Sequence, residues 1–123
     1  MTAQELIDLA TSLARPFTTS EDCTAGSVAS ALITAGGNFY TGICVDLECG
    51  IGFCAEHAAA AEMLKARESQ VRMIVAVNER GAIMSPCGRC RELLWQIDSR
   101  NLDTRVLLGS QEEAPLRDLL PRR

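Results

Sequence analysis

The chain has 123 residues, a formal net charge of −4 and only 4% aromatic residues. Proteins that bind long nucleic acids usually carry a basic face and stacking aromatic side chains, so this composition disfavours such a partner and favours a small-molecule ligand. The length and the 47% hydrophobic content suit one domain over residues 1–123. No apolar run is long enough to span a bilayer, so we expect no membrane partner.

The N-terminal segment MTAQELIDLATSLARP predicts a surface helix over about residues 3 to 14, because its apolar residues recur at helical spacing. Glu5 and Asp8 stand where a secretory signal would carry basic charge. We therefore expect a cytoplasmic protein. In that reducing compartment thiols more often serve metals or catalysis than disulfides, which gives the six cysteines of the chain a chemical interpretation.

The remaining segments predict a mixed sheet between layers of helices. After a turn-rich stretch, PFTTSEDCTAG, the apolar runs SVASALITA and FYTGICVDL flank Gly36-Gly37-Asn38 and predict a β-hairpin. An alanine-rich helix from about Cys54 to Ala66 leads to VRMIVAV, which predicts a buried central strand. The last predicted elements are a helix in CGRCRELLWQI, a strand in TRVLL and a short closing helix in APLRDLL. This order predicts an α/β fold, a three-layer sandwich with a partly parallel sheet.

Three cysteines have the spacing of a catalytic zinc site. Cys54 and Cys87 each follow a glycine- or proline-containing loop at the start of a predicted helix, and Cys90 lies one turn after Cys87. Three thiolates on Zn²⁺ leave one tetrahedral position open to water, and an open position distinguishes catalytic from structural zinc. The metal lowers the pKa of that water towards about 7. The two helix N-termini would offset the excess negative charge of the thiolates.

Glu56 is the predicted catalytic residue beside this metal. It follows Cys54 by two positions, in the first turn of the predicted helix. A carboxylate next to the reactive water can take its proton and return protons to the substrate and the leaving group. We therefore interpret Glu56 as a proton shuttle and not as a ligand. His57, Arg89 and Arg91 are near enough in sequence to donate hydrogen bonds to the thiolates, and the sequence does not choose among them.

Cys54-Ala55-Glu56 and Pro86-Cys87-Gly88-Arg89-Cys90 resemble the two zinc signatures of the cytidine deaminase family. SVASAL, FYTG and IVAVNERGAIMSPCGRCRELL are most similar to its blasticidin-S deaminase branch, so the resemblance covers roughly residues 20 to 120. It implies a mixed five-stranded sheet between helices, a Cys₃ zinc site and a homotetramer. The implied reaction is hydrolytic removal of the 4-amino group of cytidine, deoxycytidine or a cytosine-nucleoside antibiotic such as blasticidin S, with release of ammonia.

The same resemblance assigns substrate contacts. It implies that the Ala55 backbone N–H and the Ser85 carbonyl hold the pyrimidine. Cytidine deaminases usually grip the ribose with an Asn-x-Glu pair, and the best-matching positions here are Cys44 and Asp46. Asp46 can accept a hydrogen bond from a ribose hydroxyl, whereas Cys44 is a poor substitute for an amide. Ser27 matches a serine that faces the pocket in the resembling branch, or it caps a turn at a strand end. These departures make a modified or bulky cytosine nucleoside an alternative substrate.

Three other interpretations compete with this one. A closed structural zinc site would use His57 or Cys49 as a fourth ligand. The Cys-Gly-Arg-Cys segment alone is typical of a dithiol redox motif. A non-catalytic, zinc-stabilised nucleoside-binding or interaction module is the third. Cys23, Cys44 and Cys49 are otherwise most simply small buried hydrophobic residues.

Overall fold

Six strands form one mixed sheet with helices on both faces in a computed structural model that describes residues 1–123. The strands are β1 (Phe17–Ser20), β2 (Cys23–Thr34), β3 (Phe39–Leu47), β4 (Val71–Asn78), β5 (Arg105–Gly109) and β6 (Glu112–Pro115). The helices are α1 (Ala3–Leu13), α2 (Ala55–Lys65), α3 (Gly88–Ile97) and α4 (Leu116–Leu119), and a 3₁₀ turn covers Ser99–Asp103. The predicted α/β class with a mixed sheet between helical layers is confirmed.

Strand β4 lies at the centre of the sheet, as predicted. It pairs with β2 in antiparallel and with β5 in parallel orientation. The edge of β2 that does not face β4 pairs with β3, and the edge of β5 that does not face β4 pairs with β6. Strand β1 pairs only with residues 23–25 of β2, on the edge that β4 uses further along. The parallel β4–β5 pair is joined by the connection that contains α3.

The expected count of five strands is wrong, because β1 and β6 come from segments with no strand pattern. All four residues of β1 are exposed. A strand without a buried face needs no alternation of apolar and polar residues, so its sequence carries no strand pattern. Strand β6 takes up the start of the predicted closing helix and ends at Pro115, and α4 has only four residues. Proline is tolerated at such an edge position. Both strands depend on pairing with distant partners.

The core has two parts, one on each face of the sheet. Leu6, Ile7 and Ala10 of α1 pack on one face, and α2, α3 and α4 cover the other. Successive residues of β4 enter different parts, since Met73 belongs to the first and Ile74 to the second. Burial on both faces explains why this strand is an unbroken apolar run.

The loops that lead into α2 and α3 are both fixed to strands. Phe53 exchanges two backbone hydrogen bonds with Val45 of β3, at 3.0 and 3.1 Å. Before α3, Ile83 forms an antiparallel bridge with Val77, and the Met84 N–H donates to the Ala76 carbonyl at 2.8 Å. The start of each helix is therefore held against the sheet. None of the helices is long and apolar enough to cross a membrane.

Candidate active site

The three predicted cysteine ligands meet at the beginnings of α2 and α3. Cys54 and Cys87 are the N-cap residues of these helices, and neither side chain makes a capping hydrogen bond. The Sγ atoms of Cys54 and Cys87 lie 3.4 Å apart, those of Cys87 and Cys90 lie 3.6 Å apart, and all three are within 4.8 Å of one another. Tetrahedral zinc with Zn–S bonds of about 2.3 Å needs sulfurs about 3.8 Å apart. The donor set therefore fits zinc.

The electrostatic environment also suits a bound cation. Burial of the Cys87 thiol opposes ionisation, but the backbone N–H groups of Cys90 and Arg89 and the neighbouring thiols outweigh it, so the pKa of Cys87 is lowered. Burial raises the pKa of Cys54, and burial together with the charge of Glu56 raises the pKa of Cys90 well above its ordinary value. A metal ion is the group that would keep all three sulfurs ionised together.

Glu56 is buried next to the cysteines, with 6% of its surface exposed. It lies in the first turn of α2 and lines the cavity beside Cys54, yet its carboxylate is not part of the cluster of ligand atoms. Burial raises the pKa of Glu56, and its own backbone N–H partly offsets this effect. A carboxylate in this position can accept and return protons at a ligand that it faces.

A cavity of about 430 Å³ opens beside the cysteine cluster. Its volume lies within the range of about 300 to 1,000 Å³ that is usual for small-molecule sites. The predicted site residues that line it are Ser27, Cys44, Asp46, Cys54, Ala55, Glu56, Ser85 and Cys87. Cys90 is fully buried behind them. The sequence-predicted site residues therefore lie around one cavity.

Two backbone groups at this cavity have no partner within the chain. The Ala55 N–H opens α2, where helix geometry provides no acceptor, and it donates to no other group. The Ser85 carbonyl accepts no hydrogen bond, although the Ser85 hydroxyl does. One donor and one acceptor are thus available to a ligand from the two loops that carry the cysteines.

A bulge in β2 places the remaining predicted contacts. The pairing of β2 with β3 jumps from Ala25↔Val45 to Ala29↔Ile43, so three residues of β2 face one of β3. The Val28 N–H donates to the Cys44 sulfur at 3.3 Å. The Ser27 hydroxyl lies 3.3 Å from the same sulfur and donates to Asp46 Oδ2 at 3.2 Å. Cys44 is therefore engaged within the chain, whereas the other oxygen of Asp46 has no partner.

The positions of His57, Cys49 and Cys54 separate the competing interpretations of the site. Neither His57 nor Cys49 belongs to the cluster of ligand atoms, which counts against a closed zinc site. The participation of Cys54 counts against a simple dithiol. Cys44 is buried and Cys23 half-buried, but Cys49 is exposed, so its interpretation as a buried residue is wrong.

The three basic residues predicted near the thiolates do not bind them. The ring of His57 lies 5.7 Å from that of Phe53, and its buried Nδ1 has no hydrogen-bond partner. Arg89 lines the cavity without any hydrogen bond, and Arg91 binds oxygen atoms instead of sulfur. Phe53 and Met84 also line the cavity, although neither was predicted to be a site residue. In the sequence, each of them is visible only as an apolar residue in a loop that leads to a predicted ligand.

Comparison with known proteins relates this geometry to one family. Residues 1–104 match the family described as the cytidine and deoxycytidylate deaminase zinc-binding region. Among solved structures, cytidine deaminase from Burkholderia pseudomallei is 27% identical with a TM-score of 0.77, covering 98% of each chain. The enzyme from Mycobacterium tuberculosis is 24% identical with a TM-score of 0.81, covering 98% of this chain and 95% of the other. That from Mycobacterium leprae is 20% identical with a TM-score of 0.81, covering 99% of each. The cytidine-deaminase-like sandwich is thus confirmed, and the chain belongs to the cytidine and deoxycytidylate deaminase family.

Proposed function

We propose that the chain is a zinc-dependent hydrolase that removes the 4-amino group of a cytosine nucleoside and releases ammonia. One observation carries this proposal: three cysteine sulfurs converge at the wall of a cavity, and a buried carboxylate that is not a ligand lies beside them. Family membership and the likeness to solved cytidine deaminases support it.

Cys54, Cys87 and Cys90 would hold the zinc ion. When bound, zinc supplies Lewis acidity that makes a water molecule nucleophilic near neutral pH. Glu56 takes the proton from this attacking water and delivers it to N3 of the cytosine ring as C4 is attacked. It then carries the second proton to the 4-amino nitrogen, so the C4–N bond breaks, ammonia leaves and a C4 carbonyl remains.

Backbone groups at the cavity orient the base. The Ala55 N–H suits an acceptor such as O2 of cytosine, and the Ser85 carbonyl suits the hydrogens of the 4-amino group. Their lack of partners within the chain supports this assignment. These contacts would favour cytosine over uracil, because uracil has no amino group to donate to Ser85.

Sugar recognition falls to Asp46 and Ser27. Asp46 retains a free carboxylate oxygen at the cavity and would accept a hydrogen bond from a sugar hydroxyl, with Ser27 fixing its position. Cys44 contributes through the bulge that it anchors and as an apolar wall. Asp46 is shorter than the glutamate usual in the resembling family, which favours a substrate with a bulkier or modified sugar. The blasticidin-S deaminase branch is our proposal for the finer assignment.

A substrate screen tests the activity. Purified zinc-loaded protein is mixed with cytidine, deoxycytidine, blasticidin S and N4-modified analogues, and the fall in cytosine absorbance and the release of ammonia are measured. We expect turnover of at least one compound. Tight zinc binding without an absorbance change on any of them would contradict the proposal and favour the non-catalytic, zinc-stabilised binding module.

We also propose a homotetramer in the cytoplasm, with residues 1–123 as one domain. Ile51 is 73% exposed, and Met84, which lines the cavity, is 41% exposed; exposed apolar side chains of this size support contact with other subunits. The six unpaired cysteines support a reducing compartment. A monomer in analytical ultracentrifugation would contradict the assembly.

A further inference from the structure

The guanidinium of Arg91 donates hydrogen bonds to three residues. Two of them, Ser85 and Pro86, belong to the metal loop, which we define as residues 85–87 before α3. Its Nε donates to the Pro86 carbonyl at 2.8 Å, and its Nη2 donates to the Ser85 hydroxyl at 3.1 Å. Its Nη1 donates to the carbonyl of Leu119, 28 residues away, at 3.1 Å. No carboxylate pairs with Arg91. Its side chain makes polar contacts only with these three neutral oxygens.

Two of the contacted residues adjoin the candidate site, and the third belongs to a helix that is held in the core. Ser85 and Pro86 immediately precede the ligand Cys87. Leu119 ends α4, whose first residue, Leu116, is fully buried and donates its N–H to Thr104 at 3.0 Å. Arg91 therefore connects the loop that carries a ligand to a helix that is held in the core.

The chemistry of arginine suits this task. Its planar guanidinium has five N–H donors in a fixed fork, so one side chain can satisfy acceptors from several segments at the same time. Arg91 also follows Cys90 directly, and its backbone N–H donates to the Cys87 carbonyl at 3.1 Å. Arg91 thus binds groups at and next to one predicted ligand, Cys87, and directly follows the other, Cys90.

We propose that Arg91 is a positioning residue for the metal loop. It locks Ser85, Pro86 and Cys87 in place relative to Cys90, so that the two sulfurs are set for the metal before it binds. By engaging the Ser85 hydroxyl, it also sets the direction of the Ser85 backbone carbonyl. The second effect concerns the substrate and rests on the proposed function, whereas the first needs only the metal.

The substitution Arg91→Lys tests this role, because lysine keeps the charge and loses the fork. Zinc affinity is measured by competition with a chromogenic chelator, without any substrate. We expect affinity to fall about 10-fold or more, the effect typical of removing a group that orients a metal ligand. The KM for the nucleoside should rise as well. Arg117→Gln is the matched control, since Arg117 pairs with Asp103 and ties α4 to the 3₁₀ turn without reaching the metal loop.

The outcomes separate positioning from simple stabilisation. If Arg91→Lys keeps the zinc affinity and KM of the wild type while its melting temperature falls as in Arg117→Gln, the proposal is overturned. Should Arg91→Lys be insoluble, Ser85→Ala removes one acceptor with Arg91 in place, and zinc affinity equal to that of the wild type would be the contradicting result. Weaker zinc binding in a protein that deaminates nothing would leave this inference standing while the proposed function failed.

Discussion

The position of Glu56 decides what the carboxylate can do. Cys54 is the N-cap residue of α2 and Glu56 lies in the first turn, so the proposed metal ligand and the carboxylate are connected by a short stretch of backbone. The side chain is buried yet lies outside the cluster of ligand atoms. Burying a carboxylate costs free energy unless it is hydrogen-bonded or paired with a charge, and the only internal partner of Glu56 is its own backbone N–H. Proton transfer is the task that this geometry supports.

Replacing Glu56 with Gln removes the proton acceptor and preserves the shape of the side chain. We expect turnover of the cytosine nucleoside to fall by about 10²- to 10⁴-fold or more, the range that general acid–base catalysis contributes. Zinc content should remain that of the wild type, because Glu56 does not belong to the thiol cluster. Absorbance assays and metal analysis measure the two effects. Glu62→Gln, on the exposed side of the same helix, is the control and should keep full turnover. Near-normal turnover in the Glu56 variant would refute the proton relay.

Individual site residues differ in how far sequence could predict them. The cysteine spacing and the adjacent glutamate are local patterns, so the cluster of three sulfurs with a carboxylate beside it could be predicted from two short segments. The contacts of Arg91 could not, because Leu119 lies 28 residues further along the chain. The same holds for Cys44, whose sulfur accepts a hydrogen bond only because a bulge in β2 turns the Val28 N–H towards it.

At the scale of elements, the site depends on how closely α2 approaches β3. Gly42 faces the beginning of α2, and a Cβ atom at this position would lie 2.4 Å from the Ala59 nitrogen and 2.6 Å from the Ala58 Cβ. Backbone atoms cannot move aside as the end of a flexible side chain can. The glycine therefore sets the distance between the helix that carries Cys54 and the strand that carries Cys44.

The substitution Gly42→Ala should displace α2 from the sheet. We expect a loss of about 1–3 kcal/mol in the free energy of unfolding, the usual cost of overpacking, together with weaker zinc binding. Denaturant titration and chelator competition measure these effects. Gly109→Ala is the control, because the nearest atom to a Cβ there is the Glu112 Cβ at an ordinary 3.5 Å. Equal stability and zinc affinity in the two variants would show that α2 has room to move.

Hydrogen bonds to Glu68 hold the turn of the β2–β3 hairpin against the end of α2. Glu68 follows α2 and accepts hydrogen bonds from the Tyr40 hydroxyl at 2.5 Å, the Thr34 hydroxyl at 2.7 Å and the Asn38 amide at 3.0 Å. The Tyr40 hydrogen bond, followed by that of Thr34, lowers the pKa of Glu68 below its ordinary value of 4.5. The three donors thus favour the ionised carboxylate in the folded state.

The pH dependence of stability should report this carboxylate. Because its folded-state pKa is lowered, its contribution is present above the ordinary value of 4.5 and is lost as the pH falls through the folded-state pKa. We expect Glu68→Gln to be less stable than the wild type near neutral pH and the difference to shrink in acid. Denaturant titrations across that range measure it. Glu112→Gln changes an exposed carboxylate without a hydrogen bond and should show no such trend. A difference independent of pH would contradict the role of the charge.

The elements that sequence could predict are those with their own periodicity. Helices α1 and α2 and strand β4 appear within a few residues of the predicted bounds, because each buries an apolar face or run of its own. Strand β1 has no buried residue, and β6 owes its place to pairing with β5. Their existence is decided by tertiary contacts, which a local pattern does not record.

Across the whole molecule, the metal would connect two segments of the chain that the central strand separates in sequence. Cys54 and Cys87 are 33 residues apart, and β4 lies between them in sequence. Helices α2 and α3 both cover the same face of the sheet, with α1 alone on the other. A zinc ion at their N-termini would tie the two helices together, so metal binding and folding should be thermodynamically linked.

Stability should therefore depend on free zinc. A ligand that binds only the folded state stabilises it by about 4 kcal/mol at a free concentration 1,000 times its Kd, so chelation should lower the melting temperature markedly. Cys87→Ala should abolish this response, because it removes one of three ligands. Cys87 is exposed, so the variant loses little packing and should melt close to the zinc-free wild type. Cys49→Ala changes another exposed cysteine, outside the cluster, and should respond to zinc fully. If differential scanning calorimetry instead shows the same zinc-dependent shift for Cys87→Ala and the wild type, the sulfurs at the two helix N-termini do not hold the metal.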